Sequence, residues 1–146
     1  MKGNRKSYLA FAVVSLLVVA LVLSGCSLGG GAPQVMISPG NYDFGQIGSA
    51  PVTTVFSVRN EGSAPLAIES ISTSCGCTTA QIDTQTIGPG AAADLTVTFD
   101  PQAHAGDTGR FMRFVYLRTN DPNQPEVEVQ ITAEVVTNPV SAEVSQ

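Results

Sequence analysis

Apolar and polar residues alternate with a period of two through most of the chain after residue 34. Over residues 93–100 every second residue is apolar, and the same alternation recurs over Val52–Asn60 and Glu126–Val135. A period of two places the apolar side chains of a β-strand on one face, whereas a helix needs a period of 3.6. Beyond residue 25 the sequence keeps no sustained helical period. The alternation therefore predicts an all-β domain.

Four more segments bring the predicted strands to about seven. Residues 110–119 are apolar on both faces apart from their arginines, which is typical of a central strand. The shorter candidates are Val35–Ser38, 66–70 and Thr78–Ile82. Turn sequences such as Asn-Glu-Gly at 60–62 and Asn-Asp-Pro at 120–122 separate the segments. Short strands at this spacing, in about 100 residues, favour a single antiparallel β-sandwich of two sheets.

The first 25 residues have the composition of an export signal. Three basic residues within the first six precede an uncharged, mostly apolar run of 16 residues, 8–23. A membrane-spanning helix usually needs about 20 residues, so an uncleaved signal anchor is the less favoured alternative. A basic start followed by a short apolar run is typical of a secretory signal peptide.

Residues 23–26, Leu-Ser-Gly-Cys, follow this run directly and resemble the lipobox of bacterial lipoproteins. The resemblance implies that residues 1–25 are a lipoprotein signal peptide and that the chain is cut before Cys26. The thiol of Cys26 would then carry diacylglycerol and anchor the chain, outside the cytoplasm, to the bacterial cell membrane, inner or outer. Stable anchoring takes two or more acyl chains.

Composition divides the remaining chain into three parts. Residues 26–33 are expected to form the lipidated N-terminus and a flexible tether, residues 34–136 the sandwich, and residues 137–146 a disordered tail. Four arginines, twelve acidic residues and no lysine remain after residue 25, which gives a formal net charge of −8. This charge disfavours nucleic acid and anionic lipid headgroups as partners. Membrane attachment is therefore expected to depend on the N-terminal lipid.

Seven short motifs occur in a fixed order along the predicted domain. They are Asp43-Phe44-Gly45, Asn60-Glu61-Gly62, Pro65-Leu66-Ala67-Ile68, Ser74-Cys75-Gly76-Cys77-Thr78, Pro89-Gly90, Phe99-Asp100-Pro101 and Thr119-Asn120-Asp121-Pro122. Together they resemble the bacterial domain-of-unknown-function 1573 family, which is related to Hydin-like immunoglobulin-like domains of the ASH/MSP type. The resemblance spans roughly residues 40–135. It implies a seven-stranded immunoglobulin-like sandwich in an exported bacterial protein, and it implies no particular activity.

The cysteines supply the candidate chemistry. With Cys26 used for the lipid, an isolated pair remains, Cys75 and Cys77, on either side of Gly76. Three interpretations of the pair are open. The two cysteines pack as a structural element at a strand crossing, or they bind Cu(I) or Zn(II) as thiolates, or they exchange disulfides.

A metal site needs a further ligand, and His104, the one histidine in the sequence, is the candidate. It lies in an Ala- and Gly-rich loop, where a lone histidine is more often a solvated turn residue. Met36 and Met112 are the available thioethers, although Met112 is expected to pack in the core. The candidate metal site is therefore Cys75, Cys77 and His104, with Cu(I) or Zn as the ion.

The sequence contains no complete catalytic constellation. A Gly-x-Ser-x-Gly motif is missing, and the acidic residues of 93–100 and 126–135 fall on the polar faces of the predicted strands. We therefore expect a protein that is not an enzyme. By analogy with folds used for recognition, the sequence predicts a lipid-anchored extracytoplasmic module with a binding or structural role and a protein partner in the cell envelope. The alternative is an envelope thiol protein that uses Cys75 and Cys77.

Overall fold

The computed structural model describes residues 30–104 and 108–137, without the side chain of His104. Nine strands lie in these residues: β1 (Val35–Ser38), β2 (Asn41–Ile47), β3 (Val52–Asn60), β4 (Leu66–Thr73), β5 (Thr78–Ile82), β6 (Thr86–Ile87), β7 (Ala92–Phe99), β8 (Gly109–Thr119) and β9 (Glu126–Val135). One turn of 3-10 helix, Pro101–His104, follows β7. The predicted signal peptide, the lipidated Cys26 and residues 138–146 of the predicted tail lie outside the described residues.

The strands form two sheets that enclose one apolar core. The first sheet has the strand order β1-β3-β7-β5, and the second has the order β2-β9-β8-β4-β6. Neighbouring strands are antiparallel except β2, which runs parallel to β9. The all-β sandwich predicted from the alternation is confirmed. Across the two described ranges, no helix has the length and apolar character needed to cross a membrane.

β2 and β6 are additional to the seven predicted strands, and both lie at edges of the second sheet. β2 is largely exposed, and its register against β9 shifts between Asp43 and Gln46, where Gly45 has a φ of 66°. Glycine adopts this left-handed conformation without steric cost. A bulged, exposed strand loses its regular alternation, so a period-two pattern does not reveal it. β6 has two residues, too few to show a period.

The inward faces are those that the alternation predicts. Leu95 and Val129 are fully buried, whereas Thr96 is exposed. β8 lies between β9 and β4, which confirms its predicted central position. Thr132 is an exception, because its side chain was expected on the solvent face and is buried. β2 lies alongside it there, with Asp43 paired to Thr132, and covers the Thr132 side chain.

The strand registers define two opposite ends of the sandwich. One end carries the pair formed by Val35 of β1 and Asn60 of β3, and we call it the tether end because the described chain reaches β1 there. The other, distal end carries Phe99 of β7, which pairs with Val52 on one side and Thr78 on the other. The turns from β2 to β3 and from β4 to β5 therefore lie at the distal end, together with the 3-10 turn after β7.

A fully buried asparagine, Asn60, stabilises the tether end through side-chain hydrogen bonds to the backbone. Its Oδ1 accepts hydrogen bonds from the backbone N–H groups of Gln34 at 3.2 Å and Gly62 at 2.9 Å. Its Nδ2 donates to the carbonyl oxygens of Ala64 at 2.8 Å and Ile87 at 3.0 Å. All four hydrogen-bonding positions of the amide are used, which removes the cost of burying it. The Asn-Glu-Gly motif therefore has a structural role.

A buried carboxylate, Asp121, holds the same end from the second sheet. It accepts backbone hydrogen bonds from Val35 at 2.9 Å, Asn123 at 2.8 Å and Gln124 at 3.3 Å, and its own N–H donates to Oγ1 of Thr119 at 3.1 Å. Burial raises the pKa of Asp121, but the three N–H donors outweigh burial and hold that pKa below its usual range. Asp121 is therefore ionised in the folded protein at neutral pH.

Placing a charge on an inward face should unfold the domain. The Leu95→Asp variant buries an unpaired carboxylate in the core, and we expect it to lose at least about 4 kcal/mol of unfolding free energy. The matched control is Thr96→Asp, the next residue on the exposed face, which should stay within about 0.5 kcal/mol of the wild-type protein. Urea denaturation followed by circular dichroism measures both. The opposite order of sensitivities would show that the assigned faces are inverted.

Asp121→Asn should lower the free energy of unfolding by about 2 kcal/mol at neutral pH, because the three hydrogen bonds lose their charged acceptor. The folded-state pKa lies below the unfolded value, so this stabilisation is present above the unfolded pKa and is lost as pH falls through the folded pKa. The gap between wild-type and variant proteins should therefore close below about pH 4. Urea titrations across that range measure the gap.

The control for this comparison is Glu126→Gln, which removes an exposed carboxylate from β9. At neutral pH it should change stability by less than about 0.5 kcal/mol. A gap between wild-type and Asp121→Asn proteins that stays constant as the solution is acidified would contradict the role of the Asp121 charge.

Candidate functional site

The two paired cysteines lie in the turn between β4 and β5, at the distal end. β4 belongs to the second sheet and β5 to the first, so this turn crosses from one sheet to the other. The sulfurs of Cys75 and Cys77 form a disulfide, with the two Cα atoms 5.3 Å apart. The structure therefore shows the two cysteines in the disulfide-bonded form, at the point where the chain crosses from one sheet to the other.

Backbone hydrogen bonds fix the shape of this turn. The Cys75 carbonyl accepts from the hydroxyl of Thr73 at 2.9 Å and from the N–H of Thr78 at 3.4 Å. The Cys77 carbonyl accepts from the N–H of Asp100 at 2.8 Å, immediately after β7. The turn is therefore held by β4, by β5 and by the end of β7, and the disulfide has a defined position relative to both sheets.

The two sulfur-bearing residues differ in their exposure. Cys77 is 2 % exposed and belongs to the buried core, whereas Cys75 is partly exposed. Gly76 between them is exposed, and a Cβ placed on it would have no heavy atom within 4 Å apart from those of Gly76 and the two cysteines beside it. The hydroxyl of buried Thr78 lies 3.6 Å from Sγ of Cys75 and 3.8 Å from Sγ of Cys77. Cys75 is therefore the more exposed residue of the pair.

An arginine contacts the buried sulfur. Nε of Arg113 donates to Sγ of Cys77 at 3.1 Å. The guanidinium is also held by the carbonyl oxygen of Met112, at 2.8 Å, and its central carbon lies 5.0 Å from the centre of the Phe111 ring. Such a cation–aromatic contact orients the guanidinium group. Arg113 is therefore positioned with its charge against Cys77.

The sequence indicated the face of β8 on which Arg113 lies, but it did not indicate that Arg113 contacts the sulfur of Cys77. Alternation places Arg113 on the face opposite Arg110 and Arg118, and these two are exposed whereas Arg113 is partly buried. The signal that would have identified it is an arginine on the inward face of a strand, two residues from fully buried Val115. A cation in that position requires a polar or anionic partner.

The predicted metal site is not assembled in the described residues. His104 ends the 3-10 turn at the distal end, but its side chain lies outside the description. Within residues 30–104 and 108–137 no group of three His, Cys, Asp or Glu side chains is placed to hold an ion. Metal binding by Cys75 and Cys77 would need both as thiolates, so it stays a prediction for the reduced protein. The expected core position of Met112 is wrong, because it is exposed on the outer face of β8.

A second candidate surface lies on the side of the sandwich between β4 and β5. β5 is the outer strand of its sheet, and β6 covers only Leu66 and Ala67 of β4. The two strands border a cleft of about 400 Å³. Its lining consists of Ile68, Ser70, Ile71, Ala80, Gln81, Ile82 and Gln85. The sequence did not reveal this cleft, because the pairing of β4 and β5 with other strands decides which of their edges stays open.

Comparison with known proteins places the fold. The ASH/PapD-like domain 7 of human CEP192 has a TM-score of 0.58 at 10 % identity, covering 73 % of this chain and 88 % of that domain. The fold is therefore an immunoglobulin-like β-sandwich, similar to that of the ASH/PapD-like domain. Residues 35–135 match the family described as "Protein of unknown function (DUF1573)". The chain belongs to this family, which confirms the resemblance seen in its motifs.

Two further solved structures are similar over part of their length. A protein of unknown function from Porphyromonas gingivalis W83 is 27 % identical, with a TM-score of 0.66, over 70 % of this chain and 46 % of that chain. The Vibrio cholerae VesB protease is 13 % identical, with a TM-score of 0.58, over 69 % of this chain and 32 % of that chain. This chain thus spans less than half of either protein. No curated protein matches the chain in sequence.

Proposed function

We propose that this chain is a lipid-anchored, extracytoplasmic immunoglobulin-like module of the bacterial cell envelope, which binds another envelope protein and catalyses no reaction. The signal-like residues 1–25 and the lipobox-like residues 23–26 support the anchor. Membership of an immunoglobulin-like family supports a recognition role. The partner contributes an extended segment, which docks between β4 and β5.

The open side of the sandwich is the observation that carries this proposal. An outer strand presents backbone N–H and C=O groups along its length, and an added strand satisfies them. The cleft has such an edge on both of its borders, from β5 of one sheet and from β4 beyond Ile68 of the other, since the N–H of Ile68 donates to Gln85. Ile71, Ala80 and Ile82 are half-buried there, and polar groups make up the larger part of the accessible lining. An extended segment with alternating apolar side chains fits these two features together.

The charge of the chain favours a protein over a lipid surface as the occupant of this cleft. The formal charge after residue 25 is −8, which repels an anionic membrane surface. The lining combines half-buried apolar side chains with polar groups, which suits a peptide segment.

Site-specific photocrosslinking in the native envelope tests the proposal. A photoreactive residue at Ser70, in the cleft, should crosslink one protein partner, and the crosslinked peptide should be an extended apolar–polar segment. The matched control is Ser57, an exposed serine on the outer face of β3, which should give no such product. Ile71→Glu should abolish the Ser70 crosslink, because it places a charge beside the half-buried apolar side chains of the cleft.

Cys26→Ser should also abolish the crosslink, because the chain is no longer held at the membrane. Equal crosslinking from Ser70 and Ser57, or crosslinking of Ser70 to lipid alone, would contradict the proposal. A Ser70 crosslink that survives Ile71→Glu would contradict the cleft as the docking surface.

A second candidate function is supported by the contact between Arg113 and Cys77. In this alternative the chain is an envelope thiol protein that exchanges disulfides through Cys75 and Cys77, or binds Cu(I) or Zn when both are reduced. The disulfide itself favours exchange, since it is the oxidised form of such a pair. One cysteine is partly exposed and the sulfur of the other contacts a cation, an arrangement that a purely structural bridge does not require.

Alkylation and metal analysis of protein taken from the native envelope distinguish these alternatives. Disulfide exchange predicts that Cys75 and Cys77 are largely protected from alkylation, become reactive after a thiol reductant is added, and carry no metal. Metal binding predicts a stoichiometric ion that is lost in Cys77→Ser. Two alkylatable thiols in metal-free protein that never form a disulfide would contradict both.

A further inference from the structure

We infer that the Cys75–Cys77 disulfide reacts in one direction: an incoming thiolate bonds to Cys75, and Cys77 leaves as a thiolate stabilised by Arg113. This inference rests on the second proposed function, and specifically on disulfide exchange. It names the sulfur that is attacked, the sulfur that leaves, and a residue that assists the reaction. It also predicts the class of co-reactant, a thiol or dithiol whose attacking group is on an accessible segment.

Access decides which sulfur is attacked. Thiol–disulfide exchange needs the thiolate to approach one sulfur along the line of the bond that breaks. Cys77 is 2 % exposed within the core, so an approach to its sulfur is blocked by the packed sheets. Cys75 is partly exposed, and the space beside Gly76 is open. Attack at Cys75 is therefore the accessible path, and it makes Cys77 the leaving group.

The surroundings of Cys77 suit a leaving thiolate. A thiolate leaves faster when a nearby positive charge favours it over the thiol. Nε of Arg113 already donates to Sγ of Cys77 at 3.1 Å in the disulfide form. A hydrogen bond from a charged donor to a thiolate is stronger than one to a neutral sulfur, so this contact strengthens as the bond breaks. The Thr78 hydroxyl, 3.8 Å from the same sulfur, is a second donor.

Arg113 is held in place before the reaction. Its guanidinium is fixed by the carbonyl oxygen of Met112 and by the ring of Phe111, which in turn packs 5.8 Å, centre to centre, from the ring of Phe99. A charge fixed in advance does not have to be ordered when the thiolate forms. The stabilisation is therefore available to the transition state as well as to the reduced product.

The exchange balances in two steps. In the first step the thiolate of the co-reactant forms a bond to Sγ of Cys75, the Cys75–Cys77 bond breaks, and its electron pair leaves on Cys77. In the second step another thiolate attacks the co-reactant's sulfur in this mixed disulfide and releases Cys75. The net change is reduction of the protein disulfide to two thiols by two electrons and two protons, with oxidation of two thiols of the co-reactant to a disulfide.

The first measurement locates the mixed disulfide. The full chain in detergent is treated with reduced glutathione, quenched with acid and alkylated, and fragmentation on either side of Gly76 assigns the modified cysteine. We expect glutathione on Cys75 and the alkyl group on Cys77. Glutathione on Cys77, or in equal amounts on both, would overturn the inference.

The second measurement tests Arg113 through the equilibrium with dithiothreitol. Arg113→Gln should shift the equilibrium constant toward the disulfide by roughly tenfold and slow the first step by a similar factor, because a charged hydrogen bond to the thiolate is lost. Arg113→Lys, which keeps the charge, should recover part of both effects. Arg118→Gln removes an exposed arginine from the same strand and should leave both values unchanged.

A purely structural Arg113 would affect melting of the oxidised protein without changing this equilibrium, and that result would overturn the inference. If Arg113→Gln fails to fold, an unchanged equilibrium constant in Arg113→Lys and in Thr78→Val together has the same consequence. Both measurements use small thiols and no envelope partner. A directional reaction of the purified protein's disulfide with glutathione, combined with two alkylatable, metal-free thiols in protein from the native envelope, would refute the exchange function and leave the reactivity assignment standing.

Discussion

Burial of two apolar sheet faces against each other is the constraint on which this structure depends. Alternate residues of β3, β7, β8 and β9 contribute to that interface. A strand that turned its opposite face inward would therefore expose its apolar side chains to solvent. In residues 30–104 and 108–137, every buried side-chain nitrogen and oxygen atom has a hydrogen-bond partner. Asn60 and Asp121 are buried at the tether end, and each is surrounded by backbone groups that would otherwise be buried without a hydrogen bond. They close the end at which the chain reaches β1.

At the distal end, the interface between the sheets includes the disulfide and Arg113. The turn from β4 to β5 crosses between the sheets, which brings one cysteine into the core and leaves the other at the surface. Arg113 lies on the inward face of β8, where an unpartnered cation would be costly, and the sulfur of Cys77 is a hydrogen-bond acceptor within its reach. Packing therefore gives the two sulfurs unequal environments, and chemical reactivity follows from that inequality.

The two candidate surfaces are adjacent in the fold. The cleft is bordered by β4 and β5, and the disulfide lies in the turn that joins these two strands. The residues that line the cleft do not include the two cysteines, so the two proposed functions use separate residues of this part of the sandwich. Binding of an envelope protein and exchange with its thiols are thus compatible functions, and the family to which the chain belongs is described without either.

The sequence by itself determined the strands that alternate, the faces they bury and the family, because side-chain direction along a strand follows from position alone. It also indicated that Cys75 and Cys77 form a pair, and that Arg113 faces away from Arg110 and Arg118. Only the tertiary structure decided which edges stay open, that exposed β2 joins β9 in parallel, and which sulfur lies against Arg113. The physical reason is that these contacts join residues 36 or more positions apart, and strand pairing between such segments has no signature in local periodicity.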